Sequence, residues 1–168
     1  FDAQIQPILL YGSEVWGLNV CKQIETVHLF SLKWFLGVSS RSPNAMVYGD
    51  TSRYPLHINA NLRAVKYWLK LLRMDPTRYP YMVYKLMYNS HERLPNWASS
   101  IKQLLCKYDF VAEWERQAVH NEIDFIRNLR EKMINDFDNE WARTIEASNR
   151  YSMYRQLKTA RNIEPYSV

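Results

Sequence analysis

The sequence is poor in glycine and cysteine and lacks any long uninterrupted apolar run. It has four Gly in 168 residues, and alternation of apolar and polar residues never lasts beyond a few positions, which argues against β-sheets. The two cysteines, Cys21 and Cys106, are far apart and have no Cys-x-x-Cys partner. Neither a disulfide framework nor a cysteine-based metal site is therefore indicated, and we expect a reducing compartment.

No apolar stretch reaches the ~20 residues that a membrane helix needs, because Lys, Arg, Asp or Glu interrupts each one. A signal-peptide pattern is also missing. We therefore expect an intracellular protein, in the cytoplasm and nucleus, with no membrane partner. The chain begins at Phe1 and its first residues are mostly apolar, so we expect further sequence to precede it.

Apolar residues recur at spacings of three and four, which predicts an all-α fold, an irregular helical bundle that can divide into two small subdomains. A 47% hydrophobic content with six Trp suffices for a core. The loop at Leu94-Pro95-Asn96 is the expected boundary, between residues 1–92 and residues 93–168. Gly, Pro and capping residues predict a first helix ending near Gly17, followed by helices over 21–36, 43–49, 56–74, 80–91, 97–108, 113–147 and 151–160.

The longest predicted helix is amphipathic, with a break expected near 136–139. Seven apolar residues at steps of mostly three and four are expected to line its inner face. They are Val119, Ile123, Ile126, Met133, Phe137, Trp141 and Ile145. A proline at 165 is expected to prevent the last helix from continuing, and the tail after 162 is expected to fray.

The positive charge is concentrated in the first half of the chain. The net charge is +5; residues 1–90 contain ten Lys or Arg and five Asp or Glu, whereas residues 91–168 contain twelve of each. Such an asymmetry favours an acidic partner, of which nucleic acid is the commonest. A mildly basic surface without a partner is an equal alternative.

Four cations form one stripe on the helix predicted over 56–74. Arg63, Lys66, Lys70 and Arg73 are spaced by 3, 4 and 3 residues, which places them within an arc of roughly 80°. Apolar residues occupy much of the remaining circumference, so we predict a mostly buried helix with one cationic edge. This edge suits contacts to nucleic-acid phosphates; a solvated helix face without a ligand is the alternative.

Aromatic residues are dense around this stripe, and bases could stack on some of them. However, Tyr81, Tyr84 and Tyr88 lie at helical spacing, which is more typical of core packing. We therefore assign no aromatic residue as a base platform. The others considered are Trp34, Phe35, Tyr48, Tyr54, Tyr67, Trp68 and Tyr79.

Two motif matches fail on inspection, and we assign no catalytic residue and no metal ligand. Residues 12–17 have the glycine spacing of a phosphate-binding loop, but Leu18 stands where that loop needs lysine. His120-Asn121-Glu122 has the His-x-Glu of zinc deaminases without the Cys pair that must hold the metal. No acid/base pair is recognisable among the remaining histidines and carboxylates.

Residues 6–17, which read QPILLYGSEVWG, resemble the stretch after the polymerase core in reverse transcriptases of non-LTR (LINE-type) retrotransposons. Further segments follow in the order usual for that family: Ile24 to His28, Leu36-Gly37-Val38, Pro43-Asn44, Val47-Tyr48-Gly49, Arg53 to Leu56, and Tyr67 to Leu71. The resemblance is good over residues 5–90 and weaker beyond, where Tyr154 to Lys158 fits best. One departure is Asp50-Thr51-Ser52-Arg53, where the family commonly has Glu-Leu-Gly-Arg.

The resemblance implies a thumb-like bundle over 1–92 and a helical linker over 93–168, both outside the catalytic core. Reverse transcriptases of this family use a Tyr-x-Asp-Asp strand to hold two metal ions, and this chain has no adjacent Asp pair. Mg²⁺ is therefore expected only in the parent polymerase. The expected partners are RNA or an RNA–DNA hybrid and the rest of the parent chain, with Arg53 and the four stripe residues as phosphate-binding candidates. A helical protein–protein interaction module is the alternative.

Overall fold

The computed structural model describes residues 1–19 and 21–158, and within them the protein consists of helices without any strand. The all-α prediction is thereby confirmed. No helix in these ranges is both long and apolar enough to cross a membrane. The helices are α1 (Ile5–Leu9), α2 (Ser13–Trp16), α3 (Lys22–Phe35), α4 (Asn44–Thr51), α5 (Leu56–Leu72), α6 (Tyr79–Ser90), α7 (Trp97–Lys107), α8 (Val111–Arg116), α9 (Glu122–Ala147) and α10 (Ser152–Leu157), with a 3₁₀ turn at Asn149–Tyr151.

Helices α3 to α7 lie close to their predicted positions, whereas two predicted helices are interrupted. The first is divided into α1 and α2 at Gly12, whose φ is +67°. The predicted helix over 113–147 is divided into α8 and α9 because Gln117 adopts a left-handed conformation with φ of +49°. The break predicted near 136–139 is wrong, since α9 is continuous there. Residues 159–160 of the last predicted helix, and the tail after 162, lie outside the described residues.

The inner face predicted for the long helix is correct only in its second half. Met133, Trp141 and Ile145 are buried as predicted, but Ile123 is 79% exposed. Phe125 and Leu129 take the inner positions instead, so the buried residues follow steps of four and eight from 125 to 145. The prediction failed because the break at Gln117 removes Val119 from the helix and changes the starting phase.

The chain forms two compact units that are discontinuous in sequence. The first unit comprises Phe1, Cys21–Leu56 and Met133–Val168, and the second comprises Asp2–Val20 and His57–Lys132. The position expected for a subdomain boundary, between residues 92 and 93, lies inside the second unit.

The connection between α6 and α7 keeps those two helices within one unit. Asn96 caps α7 by accepting a hydrogen bond from the Ser99 N–H, and the Ser99 hydroxyl accepts one from the Asn96 N–H. The Asn96 side chain also donates to the Met87 carbonyl of α6 at 2.9 Å. Pro95 therefore belongs to a tight, capped turn, and composition alone cannot distinguish such a turn from a linker.

Trp68 of α5 is the centre of the second unit. Its side chain is completely buried, and its ring lies 6.1 Å from Trp114 of α8 and 6.4 Å from Phe125 of α9. Its indole N–H donates to the Tyr84 hydroxyl of α6 at 2.9 Å, and that hydroxyl donates to Gln117. Burial raises the pKa of Tyr84 to about 12, so it stays a neutral hydrogen-bonding group.

The first unit is held together by apolar packing of α3, α4, α9 and α10. The Trp141 indole N–H donates to the Ala45 carbonyl at 2.8 Å, and the Tyr154 hydroxyl donates to Asp50 at 2.8 Å. A methyl group added at Gly49 would overlap the Tyr154 hydroxyl. Glycine at this position therefore allows α10 to approach α4 closely.

A half-buried carboxylate stabilises the start of the first unit. Glu25 of α3 accepts hydrogen bonds from the Tyr48 hydroxyl and from the Leu56 N–H (2.8 Å), and its oxygen lies 2.8 Å from His28 Nδ1. Burial raises the pKa of Glu25, but the hydrogen bonds from His28, Tyr48 and Leu56 together outweigh it and hold the pKa below the ordinary 4.5. The ionised form is therefore the one that the fold favours.

Replacing Trp68→Ala is expected to lower the free energy of unfolding by about 3–5 kcal/mol, because it leaves a cavity and removes the partner of the Tyr84 hydroxyl. Urea denaturation followed by circular dichroism measures the change. Leu86→Ala in α6 is the control, since Leu86 is 70% exposed and its loss should change stability by no more than about 0.5 kcal/mol. Equal effects would contradict the assignment of Trp68 to the core.

Replacing Glu25→Gln is expected to cost about 1.5–3 kcal/mol at neutral pH, because hydrogen bonds to a charged acceptor are lost. Since the folded pKa is depressed, the stability from ionised Glu25 is present above pH 4.5 and is lost as the pH falls through the folded value. The difference between wild type and variant should therefore shrink below about pH 4.5. Exposed Glu140→Gln in the same unit should show neither effect; a gap that does not change with pH would contradict the role of the Glu25 charge.

Candidate nucleic-acid interface

Helix α5 is buried on nearly all sides, as the sequence predicted. Leu62, Val65, Trp68, Leu69 and Leu71 are each at most 6% exposed. Lys66 and Lys70 are the only exposed residues of the helix, and exposed Arg73 follows directly after it. The predicted cationic edge is therefore present, but its four members have different surroundings.

Arg63 is a structural residue at the inner end of this edge. Its guanidinium is partly buried and donates to the carbonyl of Leu10 at 2.9 Å, where the chain passes from α1 to α2. A Cβ added at Gly17 would lie 3.0 Å from the Ala60 side chain, so the end of α2 also approaches α5 closely. Arg63 thus attaches the first two helices to α5, and its donors are partly used.

Arg73 is paired with an acid of α9. Its Nε lies 3.2 Å from Glu122 Oε1, with 66% of the Arg73 side chain and 32% of the Glu122 side chain exposed. An ion pair this exposed contributes little to stability. It does lower the local positive potential, because the carboxylate lies where a phosphate oxygen would bind.

Lys66 and Lys70 have no hydrogen-bond or ion-pair partner among the described residues, and both ammonium groups point to solvent. They are four residues apart, and so about 6 Å apart along the helix axis. Together they can contact neighbouring phosphates of one strand, which are ~3.4 Å apart along the axis of a duplex. These two lysines are the part of the predicted site that is open to a ligand.

The remaining charges near this edge have mixed effects. Asp75, two residues beyond Arg73, adds a negative charge. Hydrogen bonds from the Thr77 side chain and N–H, and then the charge of Arg78, hold the pKa of Asp75 below its ordinary value. Arg78 is exposed at the start of α6 and was not among the predicted residues. Arg53 is exposed but belongs to the first unit, whereas the stripe belongs to the second.

The aromatic residues divide into packed and exposed groups that spacing did not distinguish. Tyr84 is fully buried, and Tyr67 and Tyr88 have edge or tilted ring contacts with Trp97 and Trp114. These rings stabilise the second unit. Trp34 and Phe35 of α3, by contrast, are 79% and 66% exposed.

The described residues contain no group of three or more His, Cys, Asp or Glu side chains that could hold a metal ion. The carboxylates near α5, Glu122 and Asp75, are engaged with Arg73 and Thr77. Both carboxylates therefore already take part in interactions within the second unit.

Replacing Arg63→Gln is expected to lower the free energy of unfolding by about 1–2 kcal/mol, because the Leu10 carbonyl loses a charged donor. Lys66→Gln, three residues along the same helix, is the control and should stay within about 0.5 kcal/mol of wild type. Urea denaturation measures both. If both substitutions are neutral, Arg63 does not attach α1 and α2 to α5.

Comparison with known proteins found no match among protein-family models, curated proteins or solved structures.

Proposed function

We propose that this chain is a non-catalytic helical part of a retrotransposon RNA-directed DNA polymerase, and that it holds RNA template or RNA–DNA hybrid through phosphate contacts. The observation that carries the proposal is the edge of α5, where the only exposed residues of a buried helix are two unpaired lysines, Lys66 and Lys70. The resemblance over residues 5–90 supplies the identity of the polymerase.

The buried packing of α5 suits a phosphate contact that does not read sequence. A helix fixed by Trp68 and its neighbours holds the Cα atoms of the two lysines at a constant separation. The conformational entropy lost on binding is therefore mainly that of the two lysine side chains. Lysine is a point charge without the planar geometry that base recognition uses. Binding of this kind positions a duplex and depends strongly on salt.

In this proposal two of the four stripe residues contact phosphates. Arg63 already donates to Leu10, and Arg73 already pairs with Glu122. Only Lys66 and Lys70 contribute without first breaking an interaction inside the protein. Two contacts give weak affinity, which suits a part of a larger polymerase whose remaining surface also holds the nucleic acid.

Exposed apolar residues on α1, on α2 and in the turn between them support a protein partner, proposed here as the rest of the parent chain. Ile8, Tyr11 and Val15 are 75%, 85% and 69% exposed, and clusters of this kind mark interaction sites. The same observation favours the second candidate function, a helical protein–protein interaction module without a nucleic-acid role. Lys66 and Lys70 contribute to ligand binding in the first of these two functions and not in the second.

The proposal includes no metal step. Mg²⁺ would belong to the parent polymerase, where it would stabilise the transferred phosphoryl group. The proposal also includes an intracellular location, in the cytoplasm and nucleus.

Replacing Lys66→Gln together with Lys70→Gln is expected to weaken binding of an RNA–DNA hybrid, because two phosphate contacts are lost. The plot of log affinity against log salt should become shallower by about 1.8 for two B-form contacts, and by less on a hybrid. Fluorescence anisotropy of a labelled hybrid, titrated with the full chain at several salt concentrations, measures both quantities. The full chain is required because a cut at residue 90 would divide the second unit.

Lys102→Gln together with Arg116→Gln is the matched control, since it removes the same charge from the same unit. Both residues already contact acids, Glu92 and Glu113, so the salt dependence should change by much less. Equal effects of the two double variants would show a nonspecific charge effect. Binding that is insensitive to salt, or unchanged by the Lys66 and Lys70 substitutions, would favour the interaction module.

A further inference from the structure

Helix α3 of the first unit is apolar on two opposite faces. Leu29 and Leu32 face inward in the core of the unit. Phe30 and Trp34, at 64% and 79% exposure, lie about 100–160° away from them around the same helix. Large exposed apolar residues on the outer side of a helix that already has a buried face mark a binding surface.

The rings on the outer face are unpaired within the described chain. Neither Phe30 nor Trp34 contacts another aromatic ring there, although ring contacts are common elsewhere in the protein. The indole N–H groups of Trp68, Trp97 and Trp141 have acceptors, and that of Trp34 has none among the described residues. The two side chains are therefore largely exposed and have no aromatic partner among the described residues.

The segment that carries the outer face contains three cations and one acid. Between residues 21 and 41 the cations are Lys22, Lys33 and Arg41, and the only acid is Glu25. The Lys33 ammonium donates to the Ser40 carbonyl at 2.9 Å, which uses one of its three donors. Glu25 faces the interior, where it accepts hydrogen bonds from Tyr48 and Leu56. A ligand of this surface therefore meets aromatic rings bordered by cations, with no exposed carboxylate in the segment to repel a phosphate.

We propose that the outer face of α3 is a stacking platform for single-stranded nucleic acid, with Phe30 and Trp34 stacking on bases and Lys33 and Arg41 near the phosphates. Proteins that bind single strands without sequence preference combine these two features. This site goes beyond the duplex contact at α5, since it lies in the other unit.

The spacing of the two rings suits a single strand. Four residues of helix separate Phe30 from Trp34, a rise of about 6 Å. A base between two stacked rings needs about 6.8 Å, twice the ~3.4 Å rise of a stacked strand. The backbone rise is close to this spacing, so the proposed arrangement is one base between the rings or two consecutive bases on their outer sides. A paired duplex cannot use them in this way, because its bases are stacked on each other and lie inside the helix.

The test is binding of labelled oligouridine or oligothymidine of about 12 nucleotides, within the site sizes usual for such proteins, to the full chain. Trp34→Leu is expected to weaken binding about tenfold, because one base loses its aromatic partner. Wild-type tryptophan fluorescence should be quenched on binding, and the quenching should be largely lost in Trp34→Leu. Lys33→Gln with Arg41→Gln should flatten the salt dependence by about 0.7 per contact.

Two comparisons separate this inference from the proposed function. Trp34→Leu should leave hybrid binding unchanged, and the quenching of Trp34 fluorescence by oligouridine should persist in the Lys66 and Lys70 double variant. Met153→Leu is the control for an exposed residue of the same unit, since Met153 is 76% exposed, and it should bind like wild type. Thermal denaturation should show that Trp34→Leu is folded, as expected for an exposed side chain.

Three results would overturn the stacking site. Equal oligonucleotide affinity in wild type and Trp34→Leu contradicts the stacking site. Quenching that persists in Trp34→Leu contradicts it as well. Concentration-dependent self-association that Trp34→Leu abolishes, with unchanged oligonucleotide affinity, would identify the face as a protein interface instead.

Discussion

The nearly complete burial of α5 is the constraint on which the second unit and its candidate site depend. A helix packed through Trp68 against α8 and α9, and bonded through its indole to Tyr84 of α6, can leave only a narrow edge to solvent. That edge carries lysine, which keeps its long apolar stem against the protein and its charge in water. The position of the cations is therefore set by the core and requires no separate binding loop.

The neighbours of the edge determine which of its cations remain open. Arg63 donates a hydrogen bond to the Leu10 carbonyl, and Arg73 forms an ion pair with Glu122. Both are arginines, whose several donors can satisfy protein acceptors, whereas the two central positions are lysines without a described partner. A stripe that looks uniform in sequence thus contains two residues with partners inside the second unit and two that are exposed without a described partner.

Much of the helical fold could be predicted because Gly37 and Pro76 are local signals for the ends of α3 and α5. Asn96, expected in a boundary loop, instead caps α7. The break at Gln117 could not be predicted, since no turn residue marks it; its side chain accepts from the Tyr84 hydroxyl of α6, a contact distant in sequence. The two discontinuous units were unpredictable for the same reason. At the site, periodicity located the stripe, but it gave no indication of Glu122 or of the Leu10 carbonyl.

The aromatic residues show where periodicity ceases to be informative about function. Tyr84 and Trp34 both lie in amphipathic helices rich in apolar residues, yet one is fully buried and the other is 79% exposed. The difference arises because α3 already buries Leu29 and Leu32, so its second apolar face has no core to enter. A sequence pattern identifies apolar residues that favour burial. Whether the protein itself buries them depends on how the other helices pack. On α3 the described residues leave Phe30 and Trp34 largely exposed. The proposed stacking site follows from this exposure together with the cations of the same segment.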